Sequence, residues 1–287
     1  MKMKLSIITI NFNNLNGLRK TMESVFAQTC KDFEYIVIDG ASTDGSVDVI
    51  REFDSLNSQL STLNVFTWVS EPDTGIYNAM NKGVRAAKSD YILMLNSGDY
   101  FVDEHVVERI LPELDGTDIV QGNTIMKFDQ KKYRCRGYGK SNISFLDAQR
   151  GRFLHQAAFC KKTLFDQYGY FDESYRYVAD TVFFLKTIAL GKASFRYVDS
   201  DIAHFDTNGF SFTKDDSVRL AHNRETYRMR TELFPGRAAT GLRELESKME
   251  IYDQLHSHKW AWLLTMVIKR ICDCIYGQPK IFVMEIM

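Results

Sequence analysis

Two spacings of apolar residues alternate along the first hundred positions. Leu5 to Ile10 (LSIITI), Phe33 to Asp39 (FEYIVID), Val65 to Val69 and Tyr91 to Leu95 (YILML) are short apolar runs without helical spacing. They predict strands, and the last, apolar at every position from Ile92 to Leu95, suits a strand buried on both faces of a parallel sheet. Between them the spacing becomes helical. Leu18, Met22, Val25 and Phe26 share one face of a segment running to about Gln28, with Asn16 as its expected cap. A second helix follows the turn Gly40 to Ser46 and ends near Phe53. A third runs from Ile76 to Ala87 with Ile76, Met80, Val84 and Ala87 inward. Ser55 to Leu63 is polar and predicts a loop, and Pro72 bars the third strand from continuing. Strand–helix alternation of this kind predicts right-handed crossovers and a Rossmann-like α/β fold, a mostly parallel sheet with helices on both sides. Loops at the carboxyl ends of such strands converge, bringing together Asn11 to Asn14, Asp39 to Asp44, Asp73 and Asn96 to Asp99.

The second half is less regular. Ile119 to Met126, Lys132 to Arg136, Phe153 to Cys160 and Ser194 to Val198 read as strands. Lys161 to Tyr168, Ala179 to Leu190, Ser217 to Leu233 and Leu242 to Leu255 read as helices, and Asp206 to Ser211 as a polar loop. The expected division is a domain over 1–213, with a nucleotide-binding half at about 1–100 and an acceptor half at about 101–213, followed by a helical extension over 214–287. In His258 to Met287, Trp260, Leu263, Leu264, Val267, Ile268 and Ile271 form one broad stripe edged by Lys259, Lys269 and Arg270. It suits a helix lying in a membrane interface, or equally one packed on the domain or on a second subunit.

Composition narrows the class. Of 287 residues, 45% are hydrophobic and 25% charged, as in a soluble globular protein, and a formal net charge of −1 gives no global argument for nucleic acid. The five cysteines show neither zinc spacing nor a C-x-x-C pair, consistent with reduced thiols in the cytoplasm. No run is long and apolar enough to span a bilayer. Charge is uneven, however. Lys127 to Lys162 holds ten Lys or Arg against Asp129 and Asp147, a solvated face or one turned to phosphate or an anionic membrane surface. On its own, Asn96-Ser97-Gly98-Asp99 reads either as a turn capped by Asp or as a carboxylate presented to a divalent metal.

Seven motifs together resemble glycosyltransferase family 2, the inverting, nucleotide-sugar-dependent enzymes of the GT-A fold. They are TINFNN, VIDGASTDGS, SEPDTGIYNAMNKG, LNSGD, HQAAF, GYFDESYRYVADTVFFLK and NGFS, in the family's order over about Leu5 to Ser211. The resemblance implies a donor slot in which Asp39 accepts from the base, which makes UDP the default nucleotide, with Thr9 and Asn11 lining the same slot. Asp73 helps hold the donor or caps the following helix. Asp99 would hold Mn2+ or Mg2+ against the leaving diphosphate, with His204 as a looser second ligand. Gly98 stands where many members carry a second Asp, so the ribose contact is either lost or made by Asn96. Asp180, at the start of a helix, would be the general base that takes the acceptor's proton. His155 and Gln156 are expected near the acceptor or the diphosphate, and the loop bearing Ser211 over the donor. The implied partners are a nucleotide sugar and a glycan or lipid-linked acceptor of bacterial surface polysaccharide synthesis. The implied setting is the cytoplasm, at or near the inner membrane face, with a homo-oligomer also allowed.

Three other functions compete with this one. A non-catalytic nucleotide-sugar binder fits Gly98 but has no need of Asp180. An oxidoreductase is disfavoured because no G-x-G-x-x-G follows the first strand. A nucleotidyltransferase lacks a Gly-rich phosphate loop near the N-terminus.

Overall fold

The computed structural model describes residues 3–128, 131–143, 153–207 and 216–234 and the short strand Met284–Ile286. The first half forms as its spacing predicts: β1 (Leu5–Asn11), α1 (Leu15–Phe26), β2 (Phe33–Asp39), α2 (Ser46–Leu60), β3 (Val65–Ser70), α3 (Ile76–Ala86) and β4 (Tyr91–Met94). β1 pairs in parallel with both β2 and β4, and β2 with β3. A two-residue strand β5 (Tyr100–Phe101) and a short helix α4 (Val106–Ile110) follow, neither anticipated. Next come β6 (Ile119–Phe128), β7 (Lys131–Cys135), β8 (Ala158–Lys161) and the helix Thr163–Tyr168. The helix Ala179–Phe184, β9 (Phe195–Phe205), the helix Asp216–Leu233 and β10 (Met284–Ile286) complete the described chain.

The strand order is β10-β7-β6-β8-β4-β1-β2-β3, with β9 joined to β5 and β6. Both faces of the central strands are buried. Tyr91 and Leu93 of β4, with Leu95 just after it, enter a core shared with α1, α2 and α4, whereas Ile92 and Met94 enter the core under α3 and the helix Ala179–Phe184. That two-sided burial explains the unbroken apolar run. α3 sits close because Gly83 has no side chain: a Cβ there would fall 2.4 Å from Cγ2 of Ile8.

Several boundaries differ from expectation. Asn14, not Asn16, caps α1, accepting from the Gly17 N–H. The stretch from Ser55 is not a loop, since α2 continues to Leu60. Its last turns pack little, so their polar residues are compatible with a helix. Phe153 to Cys160 is not one strand: His155–Ala157 forms a 3-10 turn and pairing begins at Ala158. The helix from Ala179 passes into a π-helical turn, Leu185–Leu190. β9 extends to Phe205, well past Val198, because it pairs in parallel with β6 and antiparallel with β5. The expected helix at Leu242 to Leu255 lies outside the described residues, as does the expected helix over His258 to Met287 except at Met284–Ile286. Met284–Ile286 is a strand, antiparallel to β7.

Candidate active site

β8 runs antiparallel to β4. Residues just before the amino end of β8 therefore lie beside the carboxyl end of β4, where the parallel strands open their cleft. This reversal carries His155 to Asn96. The His155 ring spans the site: Nε2 lies 3.2 Å from Nδ2 of Asn96, and Nδ1 lies 3.1 Å from Oδ2 of Asp180. The other Asp180 oxygen accepts from the Tyr77 hydroxyl at 3.1 Å and the Thr181 N–H at 2.8 Å. Tyr77 comes from the first turn of α3, so an element of the first half of the chain and His155 from the second half meet on one carboxylate. Three of its four lone-pair positions are occupied, leaving one on Oδ2. The His155 and Asp180 side chains keep 18% and 16% of their surface exposed, so neither is sealed from solvent.

The electrostatics follow from this packing. Burial pushes the Asp180 carboxyl up, but the hydrogen bond and charge of His155, with the Thr181 N–H and Tyr77 hydroxyl, outweigh it and hold the group below its ordinary value. Burial alone lowers the His155 imidazole, and the hydrogen bond and charge of Asp180, with the charge of Asp99, raise it net. His155 thus feels both acidic residues. The Oδ1 atom of Asn96 is buried and has no partner. Turning that amide over would present the oxygen to Nε2, the acceptor a doubly protonated ring needs.

Asp99 lies deeper, 5% exposed. Its Oδ1 accepts from the Asp206 N–H at 2.9 Å, and its own carbonyl accepts from the Thr21 hydroxyl at 2.6 Å. Burial pushes its carboxyl up to about 7, against the Asp206 N–H and the His155 charge, with the Asp206 charge adding to the rise. Gly98 adopts φ +103°, and a Cβ there would lie 2.8 Å from Oδ2 of Asp206. The carboxylate of Asp206 therefore fills the space beside Gly98. Sequence reading missed it, since nothing in AHFDTNG signals a partner 107 residues upstream.

The Asp39 end is a separate polar cluster. Asp39 is fully buried and its carboxylate accepts four hydrogen bonds: from Asn11 Nδ2 (2.8 Å), the Ser42 hydroxyl (2.6 Å), the Ser42 N–H (2.9 Å) and the Ser70 hydroxyl (2.6 Å). Burial raises its carboxyl, and these bonds bring it below the ordinary range. All its lone pairs are occupied, so Asp39 organises the slot rather than offering a vacant acceptor. The unpartnered acceptor there is Oδ1 of Asn11. Thr9 does not line the slot. It is fully buried, donates to the Leu95 carbonyl at 2.8 Å and accepts from the Tyr35 hydroxyl. Asp73 accepts from the Gly75 N–H and abuts Gly40, where a Cβ would meet its Oδ2 at 2.5 Å and the Phe12 ring at 3.1 Å. The helix cap itself is Gly75, not Asp73. Phe12, 65% exposed, stands at this rim as an aromatic face that the pattern of apolar positions had not marked.

Two expected residues stand apart. His204 stacks on the Tyr100 ring, centroids 4.6 Å apart, and its charged neighbours are Lys132, Lys20 and Asp201, not Asp99. Gln156 is 1% exposed with Nε2 unpartnered. Ser211 lies outside the described residues. Among the described residues no group of three or more His, Cys, Asp or Glu could hold a metal. The donor set at Asp99 and Asp206 is two carboxylates, hard oxygen ligands suited to a divalent cation that takes its remaining ligands from phosphate and water. A buried carboxyl pushed up to about 7 fits that use, since a cation would offset the cost of its charge.

A family model described as glycosyl transferase family 2 matches residues 6–171. The chain belongs to glycosyltransferase family 2. An uncharacterized glycosyltransferase of Mycobacterium tuberculosis is 31% identical over 230 residues, covering 75% of this chain and 79% of that one. A PGL/p-HBAD biosynthesis glycosyltransferase of Mycobacterium bovis is 29% identical over 208 residues, covering 71% and 77%. Among solved structures, Staphylococcus aureus TarS 1-349 in complex with UDP-GlcNAc aligns at TM-score 0.60 and 17% identity, covering 82% of this chain and 69% of that chain. Mannosyltransferase PcManGT from Pyrobaculum calidifontis, in complex with GDP-Man and Mn2+, aligns at 0.55 and 13%, covering 96% and 87%. These likenesses establish the GT-A architecture of this family 2 glycosyltransferase. No helix among its described residues is long and apolar enough to cross a membrane.

Proposed function

We propose that this glycosyltransferase works with inversion, moving a sugar from a nucleotide-sugar donor, UDP-linked by preference, to a hydroxyl of a glycan or lipid-linked acceptor. The observation that carries the reading is the His155 bridge. One imidazole ties the carboxyl end of β4 to Asp180 and lies in the field of Asp99. This shared imidazole supports placing the two acidic centres in one site.

Inversion requires the acceptor oxygen to attack the anomeric carbon opposite the leaving diphosphate. The new C–O bond forms as the glycosidic C–O bond breaks, and the nucleoside diphosphate departs with the bonding pair. Asp180 removes the acceptor's proton on its remaining Oδ2 lone pair. Its low proton affinity keeps it ionised at neutral pH, and the transition state, in which the acceptor oxygen becomes acidic, supplies the driving force. His155 and Tyr77 orient the carboxylate, and Asn96 holds His155. Asp99 and Asp206 are the residues to hold Mn2+ or Mg2+, which would neutralise charge gathering on the leaving diphosphate. At the other end Asn11 and the Asp39-organised serines face the base edge, and Phe12 offers it a stacking surface.

The test is a panel of nucleotide sugars with Mn2+ or Mg2+, reading release of nucleoside diphosphate. Turnover of one donor, lost in Asp180→Asn and Asp99→Asn while UDP binding survives in Asp180→Asn, is the expected result. A non-catalytic binder would give binding without turnover across the panel.

A further inference from the structure

The segment between Phe171 and Val178 leads into the helix that carries Asp180, and it is held from two sides. On the α3 side, Asn81 Nδ2 donates to the Phe171 carbonyl and to Glu173 Oε1, both at 2.9 Å, and Asn78 Nδ2 donates to Glu173 Oε2 at 2.9 Å. On the other side stands the helix Asp216–Leu233. Its Glu225 accepts from the backbone N–H groups of Arg176 at 2.7 Å and Tyr177 at 2.8 Å, one on each carboxylate oxygen. Arg228 Nη2 donates to the Ser174 hydroxyl at 2.9 Å, and Glu232 accepts from the Tyr175 hydroxyl at 2.6 Å.

This second attachment is not what the helix's own packing demands. The helix buries one residue, Met229. Val178, the cap of the Asp180 helix, has no capping side-chain hydrogen bond. The two N–H groups just before it are instead satisfied by a carboxylate from another element, about fifty residues later in the chain. A bidentate grip on consecutive backbone donors fixes both position and orientation, which one hydrogen bond cannot do. From Tyr177 to Asp180 is three residues, so a shift of the segment moves the carboxylate relative to His155 and Tyr77. A displacement of about 1 Å at a reacting group is enough to lower a rate about a hundredfold.

We infer that Glu225 is a positioning residue for Asp180, and that the helix Asp216–Leu233 belongs to the catalytic apparatus. The inference rests on the reading of Asp180 as the base. The decisive comparison uses the full chain and two readouts: turnover of the donor identified in the panel, and the downfield imidazole N–H signal of His155, assigned by its loss in His155→Gln. Glu225→Ala should lower kcat at least tenfold with the donor KM and UDP affinity unchanged, and should weaken or broaden the His155 signal. Glu225→Gln, which keeps an acceptor oxygen on the segment, should restore kcat to within about threefold and restore the signal. The inference is overturned if Glu225→Ala keeps both kcat and signal while Asp180→Asn is inactive. It is equally overturned if Glu225→Ala loses UDP binding in step with kcat, the mark of general unfolding. Should Glu225→Ala not fold, a Glu225→Gln protein as impaired as Asp180→Asn would also refute it. Full turnover in Asp180→Asn would instead overturn the assignment of the base, whatever Glu225 does.

Discussion

Nδ1 of His155 lies 3.1 Å from Oδ2 of Asp180, and each group shifts the other's proton affinity in the direction that favours an ion pair. The carboxyl is held below its usual value, so the acid limb of kcat belonging to Asp180 should fall below the ordinary carboxylate range. His155→Gln removes the imidazole whose hydrogen bond and charge hold the Asp180 carboxyl down. The acid limb should then move to higher pH and kcat at pH 7 should fall by about tenfold to a hundredfold. A kcat–pH profile of both proteins measures this, and an unmoved acid limb in the variant would count against the pairing.

Asp99 carries a pH-dependent cost. Its folded carboxyl is pushed up to about 7, so the folded state binds that proton more tightly than the unfolded chain does. Stability from this group is present at low pH and is lost as pH rises through about 7. Asp99→Asn, which keeps an acceptor for the Asp206 N–H, should raise the cation-free Tm at pH 8, with the gain shrinking steadily as pH falls toward the ordinary carboxylate range. Mn2+ at pH 8 should raise the Tm of the native protein and leave that of the variant unchanged.

Gly98 is constrained twice, by its positive φ and by Asp206 against its Cβ position. Gly98→Ala should destabilise by about 1–3 kcal/mol, seen as a lower denaturant midpoint. It should also weaken Mn2+ binding, because the Asp206 carboxylate must move aside. Asp206→Asn should weaken the cation without the loss of stability.

Asp39 is saturated by four donors, so removing its charge leaves serine and amide groups without their acceptor. Asp39→Asn should cost about 1–3 kcal/mol in stability and raise the donor KM at least tenfold. Phe12→Ala should raise the donor KM by a smaller factor with no loss of stability, since the ring is largely exposed. Thermal melts and UDP titrations separate the two.

The first half of the fold was legible because β1, β2 and β4 are buried along their whole length, the edge strand β3 is a short β-branched and aromatic run, and the helices carry one buried face each. β5 escaped notice because two residues carry no period, and their partner in β9 is remote in sequence. The extension of α2 was hidden by its polar outer turns, and the 3-10 turn at His155 by apolar neighbours that mimic a strand. Within the site, Asp39, Asn11, Asn96, Asp99, His155 and Asp180 were visible as motif residues. What could not be read was which lone pairs they leave open. Thr9 turns inward, Asp39 has no vacancy, and Asp206, Tyr77 and Glu225 act across long sequence separations that no local pattern records.

The carboxylate beside Gly98 has a consequence for dissecting or recombining this enzyme. The acid that fills the glycine's missing side-chain volume is encoded just past the end of β9, so the first hundred residues do not contain both carboxylates of the Asp99–Asp206 pair. A chimaera joined between β5 and β6 would exchange Asp206 while retaining Gly98. Such a graft needs a partner that carries an acidic residue just after its β9, because the positive φ of Gly98 disfavours a side chain at position 98 itself.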